Sequence, residues 1–363
     1  CFVPIQGIKN NKIIDYNLVY STIKKNIYII EEKLNFTFKE TVLIINNFNC
    51  SFVNLTGFKK LNGSQILKEN ITYILNSLKS YIDETDNTKT ILHIFNSKYM
   101  LEKKKIENLP IGLFGDFYSH ELSFCLIENN DYKNLNNIFK SCNLKIKKII
   151  LKSLIEGSLI SNGNPNLDTF FQIKINKDNS QLFYFENDSL KFEQKFDFGS
   201  DLVINDISKI TSLKIETIKK ILGNIKLQKK ISDDVVVKKE LFDNENYIKV
   251  KEKLIFDIAK ARIQELSEVM VSKNINLLSL NKKESIFFLK INDQLHSRCF
   301  ENEYLYYFSN NKNFKVRTLK SNTTEGIIRG ANKIVNFGWK KEAIPVAHMK
   351  KSIIAKFFDI LFS

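Results

Sequence analysis

The sequence predicts a mixed α/β fold, and the strongest evidence lies in one segment near the middle of the chain. Phe170–Ile175, Leu182–Phe185 and Leu190–Phe196 are rich in β-branched and aromatic residues, which favours three consecutive strands. A turn at Gly199 follows, and a helical pattern then continues to Leu222. With 363 residues, of which 43% are hydrophobic, the chain can bury the core of one elaborate domain or of two.

The rest of the chain alternates between helix and strand patterns. Tyr16–Lys33, the stretch from Ile71 to Ile82 and Glu252–Val271 place apolar residues at helical spacing. Thr41–Ile45 and Ile91–Phe95 are short apolar runs that indicate buried strands. Strands separated by amphipathic helices are typical of the α/β class.

Composition limits the classes of function. The net charge of +15 indicates an acidic partner such as nucleic acid, anionic lipid or an acidic protein, but an AT-rich genome also produces a Lys-rich chain without such a partner. No nucleic-acid-binding motif supports the first of these.

The five cysteines have no C-x-x-C spacing, which predicts free thiols, and the four histidines have no metal-ligand spacing. The sequence has no uncharged apolar run of about 18 residues and therefore predicts no transmembrane helix.

The central segment resembles a known family. Gly199, Asp206–Ile207 and Ile215–Lys219 match in order the G-G turn, the D-I helix start and the A-E-x-I-K motif of the bacterial cell-division protein FtsA family, which is part of the actin-like ATPase superfamily. The first phosphate hairpin of that family is expected upstream of Cys1, so the chain is expected to be incomplete at its N-terminus. The resemblance implies an actin-like (RNase H-like) two-domain α/β fold with an FtsA-type 1C insertion subdomain.

Further matches to the same family lie in the first half of the chain. Ile106–Gly115 is similar to its I-x-N-P-x-G turn with one extra residue before the proline, and His120–Ile127 is similar to its V-H-x-I-T strand. Tyr132–Ile138 and Ser141–Ile146 are similar to the helix and strand that come next. The resemblance therefore extends over roughly residues 6–337.

The resemblance also implies a domain scheme. Its parts are a domain 1 core at 1–40 and 120–167, subdomain 1C at 41–119, a domain 2 core at 168–210 and 285–339, subdomain 2B at 211–284, a linker at 340–347 and an amphipathic membrane-targeting helix at 348–363.

The family binds ATP and Mg²⁺, and its nucleotide positions correspond here to Gly199, Glu216 and Lys219. The glycine-rich loops themselves are replaced. Lys174–Asn179 stands in place of D-I-G-G-G-T, and Ile291–Asn292 in place of a G-G pair. Because glycine allows close approach of backbone N–H groups to phosphate, the replacements predict weak or absent nucleotide binding. Two lysines of the first loop leave open a Mg²⁺-independent phosphate site.

Two further sites are implied by the resemblance. Arg262 and Glu265 match the R-x-x-E of the helix that binds the C-terminal peptide of FtsZ, although an i,i+3 surface ion pair explains the same spacing. The last helix would bind anionic lipid, unless it packs back on the core. Its expected membrane-binding residues are Lys350, Lys351, Ile353, Ile354, Lys356, Phe357, Phe358 and Leu361.

The resemblance implies that the protein tethers FtsZ filaments to the cytoplasmic face of the bacterial inner membrane at the division site. The expected partners are FtsZ, anionic lipids, further copies of the chain in filaments and later division proteins, with no nucleic acid. Two alternatives stay open. The chain could be a working actin-like ATPase, or the actin-like component of a pilus or secretion platform.

Overall fold

The structure is a computed structural model that describes residues 3–9, 12–46, 48–224, 234–242, 246–280, 285–310, 314–320 and 322–339. The chain divides into two compact units. Unit 1 contains the chain up to Asp168, the short segment Phe185–Phe192 and the chain from Thr324 onward. Unit 2 contains Thr169–Tyr184 and Glu193–Thr323.

Helices and strands alternate along the first half of the chain. They are β1 (Ile8–Lys9), β2 (Lys12–Ile13), α1 (Tyr16–Leu34), β3 (Glu40–Ile45), β4 (Cys50–Lys60), α2 (Lys68–Thr85), β5 (Lys89–Leu101), β6 (Lys104–Ile106), β7 (Phe117–Glu128), α3 (Asn129–Ser141), β8 (Lys145–Leu151) and α4 (Lys152–Gly163).

The second half begins with three strands in succession. Its elements are β9 (Phe170–Ile175), β10 (Ser180–Glu186), β11 (Ser189–Phe196), α5 (Asp201–Thr211), α6 (Ile215–Asn224), α7 (Glu252–Ser267), α8 (Ile275–Leu280), β12 (Ser285–Ile291), α9 (Gln294–Ser309), β13 (Phe314–Thr318) and α10 (Thr324–Phe337). The last of these helices belongs to unit 1.

A four-stranded sheet in the order β4-β7-β5-β6 is the largest sheet of unit 1, and its neighbouring strands are antiparallel. Because side chains alternate between the two faces of a strand, Leu122, Phe124 and Leu126 of β7 all point to one face, where α2 packs on them. Ser123 lies on the other face and donates a hydrogen bond from Oγ to the carbonyl oxygen of Leu190, at 3.0 Å. The turn between β10 and β11 thus covers the second face.

Polar contacts hold that turn in unit 1. Ser189 Oγ donates to the carbonyl oxygen of Asn96 at 2.9 Å. The Lys191 ammonium is 8% exposed and pairs with the carboxylates of Glu121 and Glu186. A buried cation is stable only when it is paired in this way. The charge of Lys191 therefore fixes the turn against the sheet.

The five-stranded sheet of unit 2 has the order β11-β10-β9-β12-β13. β9 and β10 are neighbours joined only by residues 176–179, so they form an antiparallel hairpin, because a parallel pair needs a long crossover. β12 runs parallel to both β9 and β13. The ring of Phe171 stacks between Tyr184 and Phe287, at centroid distances of 4.6 and 4.7 Å. The hairpin, the third strand and the mixed α/β class are confirmed.

The prediction of a single helical pattern up to Leu222 is wrong in one respect, because this segment forms two helices, α5 and α6. Ser212 adopts a left-handed conformation with φ 58° and ends α5. Two side-chain hydrogen bonds stabilise this break. Thr211 Oγ1 donates to the carbonyl oxygen of Ile207 and Ser208 Oγ donates to that of Leu213, both at 2.6 Å. The apolar spacing continues across the break, which is why the sequence did not reveal it.

The predicted 1C region, residues 41–119, begins within β3 and ends within β7. β3 pairs in parallel with β8 and is not part of the four-stranded sheet. The limits of the subdomains stay predictions.

Candidate functional site

Gly199 lies at the start of α5, in tight contact with the turn that follows β9. A Cβ atom at this position would be 2.3 Å from the carbonyl oxygen of Asn176 and 2.4 Å from that of Lys177. The amides of Ser200 and Asp201 donate to the same two oxygens, each at 2.9 Å. The glycine therefore permits a backbone contact within the protein, and two N–H groups at the start of α5 are used in it.

Asparagine side chains join this turn to the end of β12. Asn292 Nδ2 donates to Asn176 Oδ1 at 2.6 Å, and Asn176 Nδ2 donates to Asn179 Oδ1 at 2.7 Å. The amide of Asn292 also donates to the carbonyl oxygen of Ile175 at 2.9 Å. The two segments that replace glycine-rich loops are thus hydrogen-bonded to each other. We refer to Asn176, Asn179 and Asn292 as the asparagine bridge.

A carboxylate occupies the space beside the asparagine bridge. Asp293 Oδ1 accepts from the amides of Leu295 and His296 and caps α9, and its Oδ2 accepts from Ser200 Oγ at 3.2 Å. Helix N-termini attract anions, but here a side-chain anion already takes that role. A nucleotide phosphate would be repelled by the Asp293 carboxylate.

Lys174, which replaces the family's acidic residue, does not point into the turn. Its side chain is 4% exposed, and Nζ lies 4.4 Å from the centroid of the Phe183 ring. Glu193 is also in this region, where burial raises its pKa while the nearby Lys195 and Lys174 lower it. Lys177 is exposed. The loop lysine that could meet a phosphate is therefore Lys177 and not Lys174.

The other two family nucleotide positions lie on α6, and both are exposed. Glu216 is in the first turn of the helix, and Lys219 follows three residues later. Among the residues that the structure describes, neither side chain hydrogen-bonds or pairs with Gly199 or with the asparagine bridge. In unit 2 the amides of Ser200 and Asp201 already donate to carbonyl oxygens, and the buried Lys174 lies against Phe183, so these groups are not arranged to hold a nucleotide phosphate. Within the described ranges, no group of three His, Cys, Asp or Glu side chains is arranged to hold a metal ion.

Arg262 and Glu265 are brought together on α7. Arg262 Nη1 donates to Glu265 Oε2 at 2.6 Å, and Arg262 Nε also pairs with Asp206 of α5. The side chains of Arg262 and Asp206 are 28% and 17% exposed, and that of Glu265 is 59% exposed. Arg262 thus links two packed helices, while Glu265 presents its carboxylate to solvent. Neither observation tests the predicted contact with FtsZ.

The expected linker at 340–347 and the expected membrane-binding residues, from Lys350 to Leu361, lie outside the described part of the chain. No described helix is both long enough and apolar enough to cross a membrane.

The asparagine bridge and the capping role of Asp293 were not predicted. The sequence offered one signal, since asparagine stands in both places where the family has glycine. Because the two segments are 116 positions apart, only the pairing of β9 with β12 shows that they meet.

No protein-family model matches the chain. The chain is 23% identical over 279 residues to the cell division protein FtsA of Buchnera aphidicola subsp. Baizongia pistaciae (strain Bp). The match covers 77% of this chain and 63% of that protein, so the chain spans slightly less than two thirds of this curated relative. The similarity agrees with the motifs and confirms the FtsA resemblance.

Several solved structures are similar at low identity. A PilM-PilN type IV pilus biogenesis complex matches with a TM-score of 0.49 and 8% identity, covering 93% of this chain and 88% of that chain. The ethanolamine utilization protein EutJ from Carboxydothermus hydrogenoformans matches with a TM-score of 0.39 and 8% identity, covering 85% and 72%. MreB 5 of Spiroplasma citri bound to AMPPNP matches with a TM-score of 0.35 and 14% identity, covering 57% and 65%. The actin-like fold class is confirmed by the FtsA similarity, and the 1C insertion stays a prediction.

Proposed function

We propose that this chain, which is similar to FtsA over most of its length, is a cell-division protein that tethers FtsZ filaments to the cytoplasmic face of the bacterial inner membrane. The observation that carries the proposal is the sequence match over 77% of the chain to a cell division protein. The two partners, FtsZ and anionic lipid, are part of the proposal.

Nucleotide binding is weakened or lost in the proposed mechanism, and the protein acts as a recruitment scaffold. The amides of Ser200 and Asp201 and the asparagine bridge support this, because these groups bond to one another in the place where a phosphate cradle needs free backbone donors. The Asp293 carboxylate adds repulsion. The scaffold therefore recruits FtsZ in the absence of ATP.

The proposed contact with the FtsZ tail uses α7. Glu265 offers a solvent-facing carboxylate, and Arg262 beside it is held in place by Asp206. A guanidinium that is already oriented loses less conformational entropy when a peptide carboxylate binds. Of the two, Glu265 is the residue to mutate, because a change at Arg262 would also disturb the packing of α5 on α7.

The test is sedimentation of purified FtsZ with anionic liposomes and this protein, with and without ATP. A variant that ends at Ala347 lacks the expected membrane helix. A second variant, Glu265→Lys, reverses the exposed charge on α7, and Glu325→Lys on α10 is its matched control, because Glu325 is also exposed and also pairs with an arginine on its own helix.

We expect FtsZ to sediment without ATP, to stay in solution with the truncated variant and with Glu265→Lys, and to sediment with Glu325→Lys. Recruitment that requires ATP would contradict the proposed loss of nucleotide binding. Absence of recruitment with the full chain would contradict the tether itself.

A further inference from the structure

The loop between α1 and β3 exposes two apolar side chains in a fixed arrangement. Leu34 and Phe36 are each 61% exposed. Asn35, between them, adopts a left-handed conformation with φ 47° and ends α1. The amide of Phe38 donates to Glu31 Oε1 at 2.8 Å, and the rings of Phe36 and Phe38 meet edge to face at 5.3 Å. Hydrogen bonds and ring packing thus order this loop while its apolar tip faces solvent.

A basic cavity of about 420 Å³ lies next to this loop. Its lysines are Lys39, at the end of the loop, Lys140, in the last turn of α3, and Lys145, at the start of β8. The amide of Lys145 donates to the carbonyl oxygen of Lys39 at 3.0 Å, which joins the loop to β8. The other lining residues are Asn136, Asn143, Leu144 and Ile146.

The charge of the cavity is positive. The carboxylate of Glu40 pairs with this cluster, since its Oε1 lies 3.9 Å from Lys145 Nζ, and the Lys145 side chain is nevertheless 80% exposed. Lys147, on the same strand as Lys145, is also exposed. Three lysines therefore line the cavity, and a fourth lies close to it along β8.

The apolar tip and the basic cavity are close together. Phe36 and Lys39 are three residues apart, so their Cα atoms are separated by at most about 10 Å. An exposed aromatic residue beside a lysine cluster is the pattern that binds the interface of an anionic membrane, where the ring enters the headgroup layer and the lysines meet phosphates. A free acidic peptide or nucleic acid would use the lysines but would leave Leu34 and Phe36 without a role.

We propose that Leu34, Phe36 and the cavity of Lys39, Lys140 and Lys145 form a membrane contact that binds the phosphate of an anionic phospholipid headgroup. The inference rests on the proposed membrane role but not on FtsZ, and it involves different residues from the expected C-terminal helix. With two contacts the chain would lie on the membrane in a defined orientation, because one contact alone leaves rotation free.

The test is binding of the 363-residue chain to phosphatidylglycerol-containing vesicles, measured by flotation. In the cavity variant, Lys39, Lys140 and Lys145 are changed to Gln. Its matched control changes Lys68, Lys103 and Lys104 to Gln, because these three are also exposed and their loss lowers the net charge equally. We expect the cavity variant to bind at least about tenfold more weakly and the control variant to bind nearly as well as the unmodified chain.

A tail variant of the chain, with Phe357, Phe358 and Leu361 changed to Ser, separates this contact from the expected helix. If the cavity lysines bind lipid, changing them to Gln weakens the vesicle binding of the tail variant as well. If the tail variant loses all vesicle binding and the cavity variant loses none, the proposed membrane role of the chain still stands, but the cavity proposal is wrong.

The position of the apolar tip is tested by Phe36→Trp. Brominated acyl chains should quench the fluorescence of this tryptophan, whereas Trp339 is buried and gives a constant background. Absence of quenching with bound vesicles would contradict insertion of the tip. If the cavity variant instead keeps its vesicle affinity and loses affinity for polyglutamate, the surface binds an acidic protein and the lipid proposal is wrong.

Discussion

At the scale of single residues, Gly199 matches a family motif and is also required by a close backbone contact. A side chain at this position would meet two carbonyl oxygens at distances well below van der Waals contact. These atoms are main-chain atoms that cannot move independently. The residue is therefore required by the backbone contact, whether or not a nucleotide binds.

We predict that Gly199→Ala lowers the free energy of unfolding by about 1–3 kcal/mol, because the added methyl group forces the turn at 176–177 away from α5. Urea denaturation measures this. Gly163→Ala is the matched control, because no atom lies within 4 Å of a Cβ built at Gly163. If the two variants had the same free energy of unfolding, the turn would move aside for the methyl group without loss of stability, and the prediction would be wrong.

Lys191 is a second residue whose role depends on burial. We predict that Lys191→Met lowers the free energy of unfolding by roughly 1–3 kcal/mol, because the carboxylates of Glu121 and Glu186 lose their shared cation. Lys251→Met should cost less than about 1 kcal/mol, since Lys251 is 56% exposed and its partner carboxylate, Asp234, is 92% exposed. If pairing with Glu121 is the cause, adding Glu121→Gln to Lys191→Met recovers part of the loss.

At the scale of elements, the turn after β9 and the end of β12 stand where the FtsA family has its glycine-rich nucleotide loops. We predict that millimolar Mg-ATP leaves the thermal unfolding temperature unchanged, because the N–H groups at the start of α5 donate to carbonyl oxygens of the turn. A ligand present at 100 times its dissociation constant would raise the free energy of unfolding by about 2.7 kcal/mol.

Differential scanning fluorimetry makes this measurement, with ATP lacking Mg²⁺ as the control for ionic strength. A shift that depends on Mg²⁺ would show that the asparagine bridge opens to admit the nucleotide. A shift without Mg²⁺ that Lys177→Gln abolishes would support the phosphate site left open by the loop lysines.

The sequence predicts elements better than it predicts the contacts between them. The strands at 170–175 and 190–196 were expected because their apolar and aromatic content is local information. The break at Ser212 was missed, because it is made by side-chain hydrogen bonds that leave the apolar spacing intact. The asparagine bridge was missed for another reason, since its members meet only after β9 pairs with β12.

At the scale of the whole molecule, each unit contains a histidine that is buried in its neutral form. His120 of β7 is 1% exposed among Tyr99 and Tyr118, and neither of its ring nitrogens has a hydrogen-bond partner in the described part of the chain. Burial lowers its pKa to about 4. In unit 2, burial likewise lowers the pKa of His296 to about 4, against the opposing effect of Asp293 and Asp201.

These two histidines predict a loss of stability in mild acid. Below about pH 6.5 the unfolded chain protonates both imidazoles, while the folded chain keeps them neutral until about pH 4. The unfolded state therefore binds more protons in this window, and the free energy of unfolding falls as the pH falls through it. Each histidine contributes a slope of about 1.4 kcal/mol per pH unit where its protonation difference is complete.

Urea denaturation between pH 7 and pH 4.5 tests this, with the unmodified chain compared to His120→Phe and His296→Phe. Carboxylates titrate in all three proteins, so the informative quantity is the difference in slope. Phe removes the titrating group and keeps an aromatic ring against Tyr99 in one case and Phe300 in the other. Each variant should therefore lose less stability on acidification than the unmodified chain. Parallel pH profiles would mean that the imidazoles become protonated without unfolding and that burial does not hold them neutral.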